Sequence, residues 1–314
     1  MDFKTATEYL LFSKDDYSKI KEGIDWMYDQ YVKPTQIEAT DLTDAHFIKA
    51  ESGQIVSPIA AAHCLKDMMR TVLFLRGIHN AIESELSKDL NRPVEILYAG
   101  CGPYATLLTP FTTIYTTDQV QFTMLEYNPI SMDAMNRLYS DWGISKYLKH
   151  TILADATLPE VEIKDTYDII ISETMQAGLK KECQVPLTRN LVRFLNPEGT
   201  FIPQNIYIDA CLVGPDKNEL EVPDRVSLGT IYDLDFKNVP PLNYERRIDI
   251  PAHPYEYLNS FTTIRVFEDV IIHPYMSGLT CPLIIDRFET KPKSINFKYV
   301  EGENPDFEVN YHLE

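Results

Sequence analysis

Two glutamates near the middle of the chain are spaced to do chemistry together. Tyr167-Asp168-Ile169-Ile170-Ile171-Ser172 reads as a buried strand, and Glu173 follows it directly. Glu182 comes nine residues later, just ahead of Val185–Leu195, which reads as a helix. Between them Gln176-Ala177-Gly178-Leu179 reads as a loop. Carboxylates at the two feet of one loop can converge on a single cation. A guanidinium, planar with its donors in a fixed fork, suits paired bidentate carboxylates. An ammonium is the other cation such a pair can hold. Taken alone, Glu182 also suits a helix start, where the dipole favours negative charge.

A second constellation lies upstream. Val94–Ala99 reads as a strand that runs into Gly100-Cys101-Gly102-Pro103, a glycine turn in which backbone can approach a ligand closely. Glu126 ends the next strand, 24 residues beyond Gly102. An acidic residue there is placed to accept hydrogen bonds from ribose hydroxyls. Asp155 ends a third strand in Ala154-Asp155-Ala156, where its carboxylate can face an adenine amino group. Each acid alone is equally a solvated strand end. A nicotinamide dehydrogenase shares the first two features, but Ala105 stands where its third glycine is needed.

These residues need a scaffold of alternating elements. Strands are predicted at Val94–Ala99, Phe122–Glu126, His150–Ala154 and Tyr167–Ser172, and helices at Met132–Leu138 and Val185–Leu195. That alternation predicts a parallel, doubly wound sheet. Before it, Thr5–Tyr31 carries apolar residues at helical spacing, Asp41–Val56 is irregular, and Ser57-Pro58 opens a helix running to about Glu83. Beyond Pro203 the chain turns strand-rich, at Ile206–Val213, Phe261–Ile272, Leu283–Phe288 and Ile295–Val300, which predicts an antiparallel β-barrel or sandwich. Asn218–Tyr257, with five prolines, gives no clear pattern.

Composition narrows the partners. The chain has 314 residues, 44% hydrophobic and 24% charged, in the range of a folded protein. Its net charge of −18 repels nucleic acid phosphates and attracts cations. Five widely spaced cysteines, Cys64, Cys101, Cys183, Cys211 and Cys281, form no CxxC pair; neither a zinc site nor a disulfide framework is expected, and a reducing cytoplasm is. No run of about 18 apolar residues predicts a membrane span, and Met1-Asp2-Phe3-Lys4-Thr5 lacks the plan of a secretory signal.

The order strand–glycine turn, strand–Glu, strand–Asp resembles the class I methyltransferases. Three further segments narrow the resemblance to the protein arginine methyltransferases. Ser172-Glu173-x-Met175 with Glu182 is similar to their double-glutamate loop. Leu65-Lys66-Asp67-Met68-Met69-Arg70-Thr71 is similar to their Leu-Lys-Asp-x-x-Arg-Thr segment. Leu195-Asn196-Pro197-Glu198-Gly199-Thr200-Phe201-Ile202-Pro203 is similar to their passage into the β-barrel. The resemblance implies S-adenosylmethionine as cofactor, held by Arg70 at its carboxylate and by Gly100, Gly102, Glu126 and Asp155 at the nucleoside. It implies Glu173 and Glu182 as the catalytic pair. The layout expected is an N-terminal helical segment (1–88), a Rossmann-like cofactor domain (89–204) and a β-barrel substrate domain (205–314).

Departures from the family bear on the substrate. Gln54-Ile55-Val56-Ser57-Pro58-Ile59 replaces an aromatic Tyr-Phe-x-x-Tyr helix, and Thr280-Cys281-Pro282 stands near where a Thr-His-Trp loop belongs. Cys64 and Gln184 align with two methionines that bracket the acceptor in asymmetric-dimethylating members. The stretch after Val213 is short for a helical dimerisation arm, so residues 1–56 become the expected contact of a homodimer. These changes fit a divergent bacterial branch acting on free L-arginine or a related small guanidine, with Arg246 or Arg265 as candidate partners for its carboxylate. A protein arginine substrate and another amine are the alternatives, and a scaffold with a degenerate cofactor fold is the non-enzymatic one.

Overall fold

A computed structural model describes residues 1–39, 47–88, 91–214 and 224–313. The chain opens with two helices, α1 (Phe3–Phe12) and α2 (Tyr17–Thr35), where one was expected. The break has a local cause: Lys14 turns into the left-handed region, and the Asp16 side chain accepts from Lys19 N to start a new helix. The irregular segment resolves in part into a hairpin, β1 (Phe47–Ala50) and β2 (Gly53–Val56), while residues 40–46 lie outside the described residues. The helix expected from Ser57 to Glu83 is also two, α3 (Pro58–His63) and α4 (Met68–Leu86), separated by a short 3-10 turn. Ser57 caps α3 with Pro58 in its first turn, as the sequence predicts. Asp67 caps α4 through a bond from Arg70 N, which puts Arg70 in the first turn of that helix.

The alternating elements follow: β3 (Val94–Ala99), β4 (Val120–Glu126), α5 (Pro129–Asp141), β5 (Leu148–Leu153), β6 (Tyr167–Ser172), α6 (Gln184–Leu191) and β7 (Leu195–Ile202). They form a parallel sheet in the order β5-β4-β3-β6-β7. Alternate residues along each strand serve opposite faces. Ile96, Tyr98, Ile169 and Ile171 join a core with α1, α2, α4 and α5, while Leu97, Ala99 and Ile170 pack with Leu187 and Leu191 of α6. The order reverses between β3 and β6, and the crevice beyond the carboxyl ends of strands at such a switch point is where open α/β sheets bind ligands.

The remaining strands are antiparallel: β8 (Asn205–Val213), β9 (Arg225–Asp235), β10 (Glu245–Asp249), β11 (Tyr257–Phe267), β12 (Val270–Ile272), β13 (Leu283–Arg287), β14 (Ser294–Val300) and β15 (Asp306–His312). One sheet runs β12-β11-β8-β9, with β13 also on β11, and the other β10-β14-β15. Tyr232 of β9 and Tyr299 of β14 meet at 4.8 Å between ring centroids, so the two sheets share a core. Strands β9, β10 and β15 were not foreseen; of the patternless stretch from Asn218, residues 218–223 lie outside the described residues. Helix α4 lies between this β region and the parallel sheet. A Cβ at Gly77 would stand 2.4 Å from Val266 Cγ1, so glycine is what lets α4 and β11 approach.

Candidate active site

All seven residues singled out in the sequence line one cavity of about 560 Å³ at the switch point: Arg70, Gly100, Gly102, Glu126, Asp155, Glu173 and Glu182. That volume falls within the range of small-molecule sites. Gly100 and Gly102 have φ of 73° and 66°, which other residues rarely adopt, and a Cβ at Gly100 would collide with Thr174 Cγ2 at 2.6 Å. The turn therefore needs glycine twice, once for its backbone and once for its closeness to the glutamate loop.

Glu126 is largely committed before any ligand arrives. Its Oε1 accepts from Tyr127 N at 2.9 Å and Asn128 N at 2.8 Å, and its Oε2 from Gly102 N at 2.8 Å. A carboxylate offers about four acceptor sites, so Oε2 keeps room for one more donor. Burial pushes this carboxyl up, against the three backbone N–H groups. Asp155 uses Oδ1 for Thr157 N at 2.8 Å and Thr157 Oγ1 at 2.6 Å. Its Oδ2 accepts no bond among the described residues.

Glu173 emerges from β6 and receives the Arg70 guanidinium on Oε2. The resemblance gives Arg70 to a cofactor carboxylate; the structure pairs it with Glu173. The other oxygen, Oε1, is buried without a partner, on a side chain only 7% exposed. A buried unpaired carboxylate oxygen is costly and marks a place built for a donor. Glu182 is buried too. Burial raises its carboxyl above the ordinary range, opposed by a hydrogen bond from Gln176 and the charge of Arg70.

The loop between the glutamates is held from several sides. Thr174 N and Oγ1 donate to Gln184 Oε1 at 2.9 and 3.1 Å, tying its two feet together. Gly178 N donates to Thr262 Oγ1 at 2.8 Å, and Tyr299 Oη donates to Leu179 O at 2.8 Å, so the β region fixes the crown. The β1–β2 hairpin docks on the second foot, where Gln54 N donates to Lys181 O at 2.6 Å. A Cβ at Gly53 would lie 2.9 Å from that same carbonyl oxygen. The Ser52-Gly53 pair was a legible turn signal, and it was missed.

Two expected contacts fall elsewhere. Arg265 sits on β11 between the buried Ile264 and Val266, so strand alternation turns it outward, over the Tyr207 ring. Arg246 is exposed on β10, and neither arginine lines the cavity. The cavity's cations are Arg70, Lys180 and Lys181. The Thr280-Cys281-Pro282 segment does lie beside the site: Gly278, Leu279 and Leu283 line the cavity. Ser277 Oγ and Gly278 N donate to Asp67 Oδ2 at 2.7 and 2.9 Å, joining the β region to the cap of α4.

No protein-family model matches the chain, and no curated protein sequence does. Solved structures do. The chain is similar to a protein in the Trypanosoma brucei PRMT1 enzyme–prozyme heterotetrameric complex with AdoHcy, with TM-score 0.55 and 14% identity over 80% of this chain and 92% of that one. It is also similar to Arabidopsis thaliana protein arginine methyltransferase 10 in an open conformation, with TM-score 0.53 and 9% identity over 76% of this chain and 86% of that one. At such identities the likeness is one of fold, and the fold is a class I methyltransferase sheet followed by an antiparallel β region.

Proposed function

We propose that the chain is an S-adenosylmethionine-dependent N-methyltransferase acting on a guanidino nitrogen of free L-arginine or a related small guanidine. One observation carries the reading. Two buried glutamates at the feet of a pinned loop share a cavity with a glycine turn and two strand-end acids. One of those glutamates already holds a guanidinium, that of Arg70. The fold likeness supports the same reading. The residues fit the cofactor: the glycine turn admits close approach, Glu126 Oε2 has one acceptor site for a ribose hydroxyl, and Asp155 Oδ2 is open to an amino group.

S-adenosylmethionine, when bound, supplies an electrophilic methyl group on a sulfonium. The chain's part is to present a nitrogen to it. A guanidinium stays protonated and is a poor nucleophile as it stands. Glu173 and Glu182 hold it in one orientation and draw its positive charge toward the nitrogens they bind. The remaining nitrogen is left richer in electron density and aimed at the methyl. Most of the barrier reduction then comes from positioning and fixed charge. One of the two carboxylates takes the proton released from the methylated nitrogen. Arg70 is part of the same device, because its bond to Glu173 Oε2 leaves Oε1 as the oxygen open to substrate.

The test is direct. Purified protein with isotopically labelled S-adenosylmethionine is given L-arginine, agmatine and an Arg-Gly-Gly peptide in turn, and products are identified by mass spectrometry. Methylated L-arginine is the expected product. Turnover of the peptide with none of L-arginine would move the reading to a protein arginine methyltransferase. Turnover of none, with tight cofactor binding, would remove the guanidine from it.

A further inference from the structure

The cavity has three cations, and two of them are already paired. Arg70 is held by Glu173, and Lys180 Nζ reaches Asp306 Oδ1 at 3.2 Å on the C-terminal side. Lys181 forms no side-chain hydrogen bond or ion pair with any described residue. It stands at the solvent-facing mouth of the cavity, next in sequence to Glu182. Its backbone is clamped. Lys181 N donates to Pro305 O at 2.7 Å, and Lys181 O accepts from Gln54 N at 2.6 Å. Its φ is 67°, a left-handed conformation suited to glycine or asparagine. A lysine held in that conformation, at the rim of a binding cavity, is the kind of outlier that accompanies a ligand clamp.

We infer that Lys181 is the specificity-determining residue that holds the α-carboxylate of the substrate, so the enzyme selects guanidino carboxylic acids over plain guanidines. This rests on the proposed function. The lengths agree. An extended arginine side chain puts about 6 Å between its guanidinium carbon and Cα. Adjacent Cα atoms are about 3.8 Å apart, and a lysine side chain has a similar reach of about 6 Å. With the guanidinium on Glu182, a substrate that turns back toward Lys181 brings its carboxylate within reach of that ammonium. Charge adds to the case. On a chain of net charge −18 most surface repels a carboxylate, and one unpaired ammonium at the mouth gives it a single favourable place. A small substrate offers little area, so charge-assisted bonds at both ends must supply its affinity.

The experiment compares kcat/KM for L-arginine and for agmatine, which lacks the carboxylate, in the wild type and in Lys181→Asn. Asparagine tolerates the left-handed backbone, so this variant removes the charge with little disturbance to the turn. In the wild type L-arginine is the better substrate, and in the variant the L-arginine-to-agmatine ratio falls at least about tenfold, mainly through a higher KM for L-arginine. Lys181→Arg, which keeps the charge, retains most of the preference. If Lys181→Asn slows both substrates equally, the ratio stands and Lys181 is only a structural residue of the loop; the assignment falls while the proposed function survives. If the wild type methylates only a peptide, or no guanidine, both fall.

Discussion

Strand β6 carries a carboxylate near each end, and the two have opposite surroundings. Asp168, near its start, accepts from Arg92 Nη1 and Nη2 at 2.6 and 2.8 Å, from Glu95 N at 2.9 Å and from Asn196 Nδ2 at 2.6 Å. Burial alone would raise this carboxyl, but the bonds from Arg92, Glu95 and Asn196 outweigh it and hold it below the ordinary range. Glu173, just past the other end, has Arg70 on one oxygen and nothing on the other. The acceptor sites of Asp168, at the amino-end edge of the sheet, serve the fold. At the carboxyl-end edge an acceptor is left open inside a cavity. A strand can thus be read twice, for what it secures and for what it withholds.

Substitution at the two ends tests that contrast most sharply. Glu173→Gln keeps the shape and removes the charge that faces substrate. It should lower kcat/KM about 100- to 1,000-fold and leave the thermal midpoint within about 2 °C of wild type. Retention of more than about a tenth of activity, a loss of only about 1.4 kcal/mol, would falsify its role. Asp168→Asn should do the reverse. It weakens the anchoring of Arg92 and the Glu95 amide, costs about 1–3 kcal/mol, lowers the midpoint by about 2–6 °C, and changes kcat/KM less than threefold. Equal loss of activity in both variants would end the comparison.

Glu126 stands between the two extremes, with three backbone donors and one site left. Glu126→Ala should weaken S-adenosylmethionine and S-adenosylhomocysteine alike, by about 10- to 100-fold in Kd, because both carry the same ribose. Titration calorimetry with both ligands checks it. Unchanged affinity for either one would take Glu126 out of the cofactor site and leave it a purely structural acid like Asp168.

Legibility in the sequence followed the same divide. The bounds of β3 and β6 were read to the residue, because buried parallel strands are short apolar runs with sharp ends. Five of the seven residues brought to one cavity, Gly100, Gly102, Glu126, Asp155 and Glu173, were readable because strand-end acids and paired glycines sit at fixed places in such a sheet; Glu182 was read from its spacing to Glu173 and Arg70 from the resemblance. What escaped depends on single polar side chains or on distant contacts. Asp67 breaks one predicted helix in two by capping, and without that break Arg70 would not lie in a first turn. Strands β9, β10 and β15 mix charged and apolar residues because each has an exposed face, so their alternation is weak. The turn of the β1–β2 hairpin was legible at Ser52-Gly53, but its docking against Lys181, 128 positions from Gly53 in the chain, is a contact that no local pattern announces. Arg265 is no carboxylate partner because strand alternation turns it outward over Tyr207, and Arg246 because β10 lines no part of the cavity.

The smallest expected effect, in stability rather than turnover, gives the finest test of the contrast. Glu182 is buried, and its carboxyl is raised where that of Asp168 is lowered. The signs of the linkage therefore oppose each other. For Glu182 the folded state binds a proton more tightly than the unfolded state does. Its contribution to stability is full below the ordinary carboxylate range and is lost as pH rises through its raised value. For Asp168 the contribution is present above that range and is lost as pH falls through its lowered value. Glu182→Gln removes a charge whose ionisation the fold opposes. Its thermal midpoint should match wild type in acid and exceed it by about 1–3 °C at neutral pH, with turnover abolished. Asp168→Asn should show its deficit at neutral pH and lose it in acid. Thermal melts of the two variants from pH 3 to pH 8 read both slopes. A Glu182→Gln protein less stable than wild type at neutral pH would mean that the bonds from Gln176 and the Arg70 charge outweigh burial, and that Glu182 belongs with Asp168 as an acid that secures the fold.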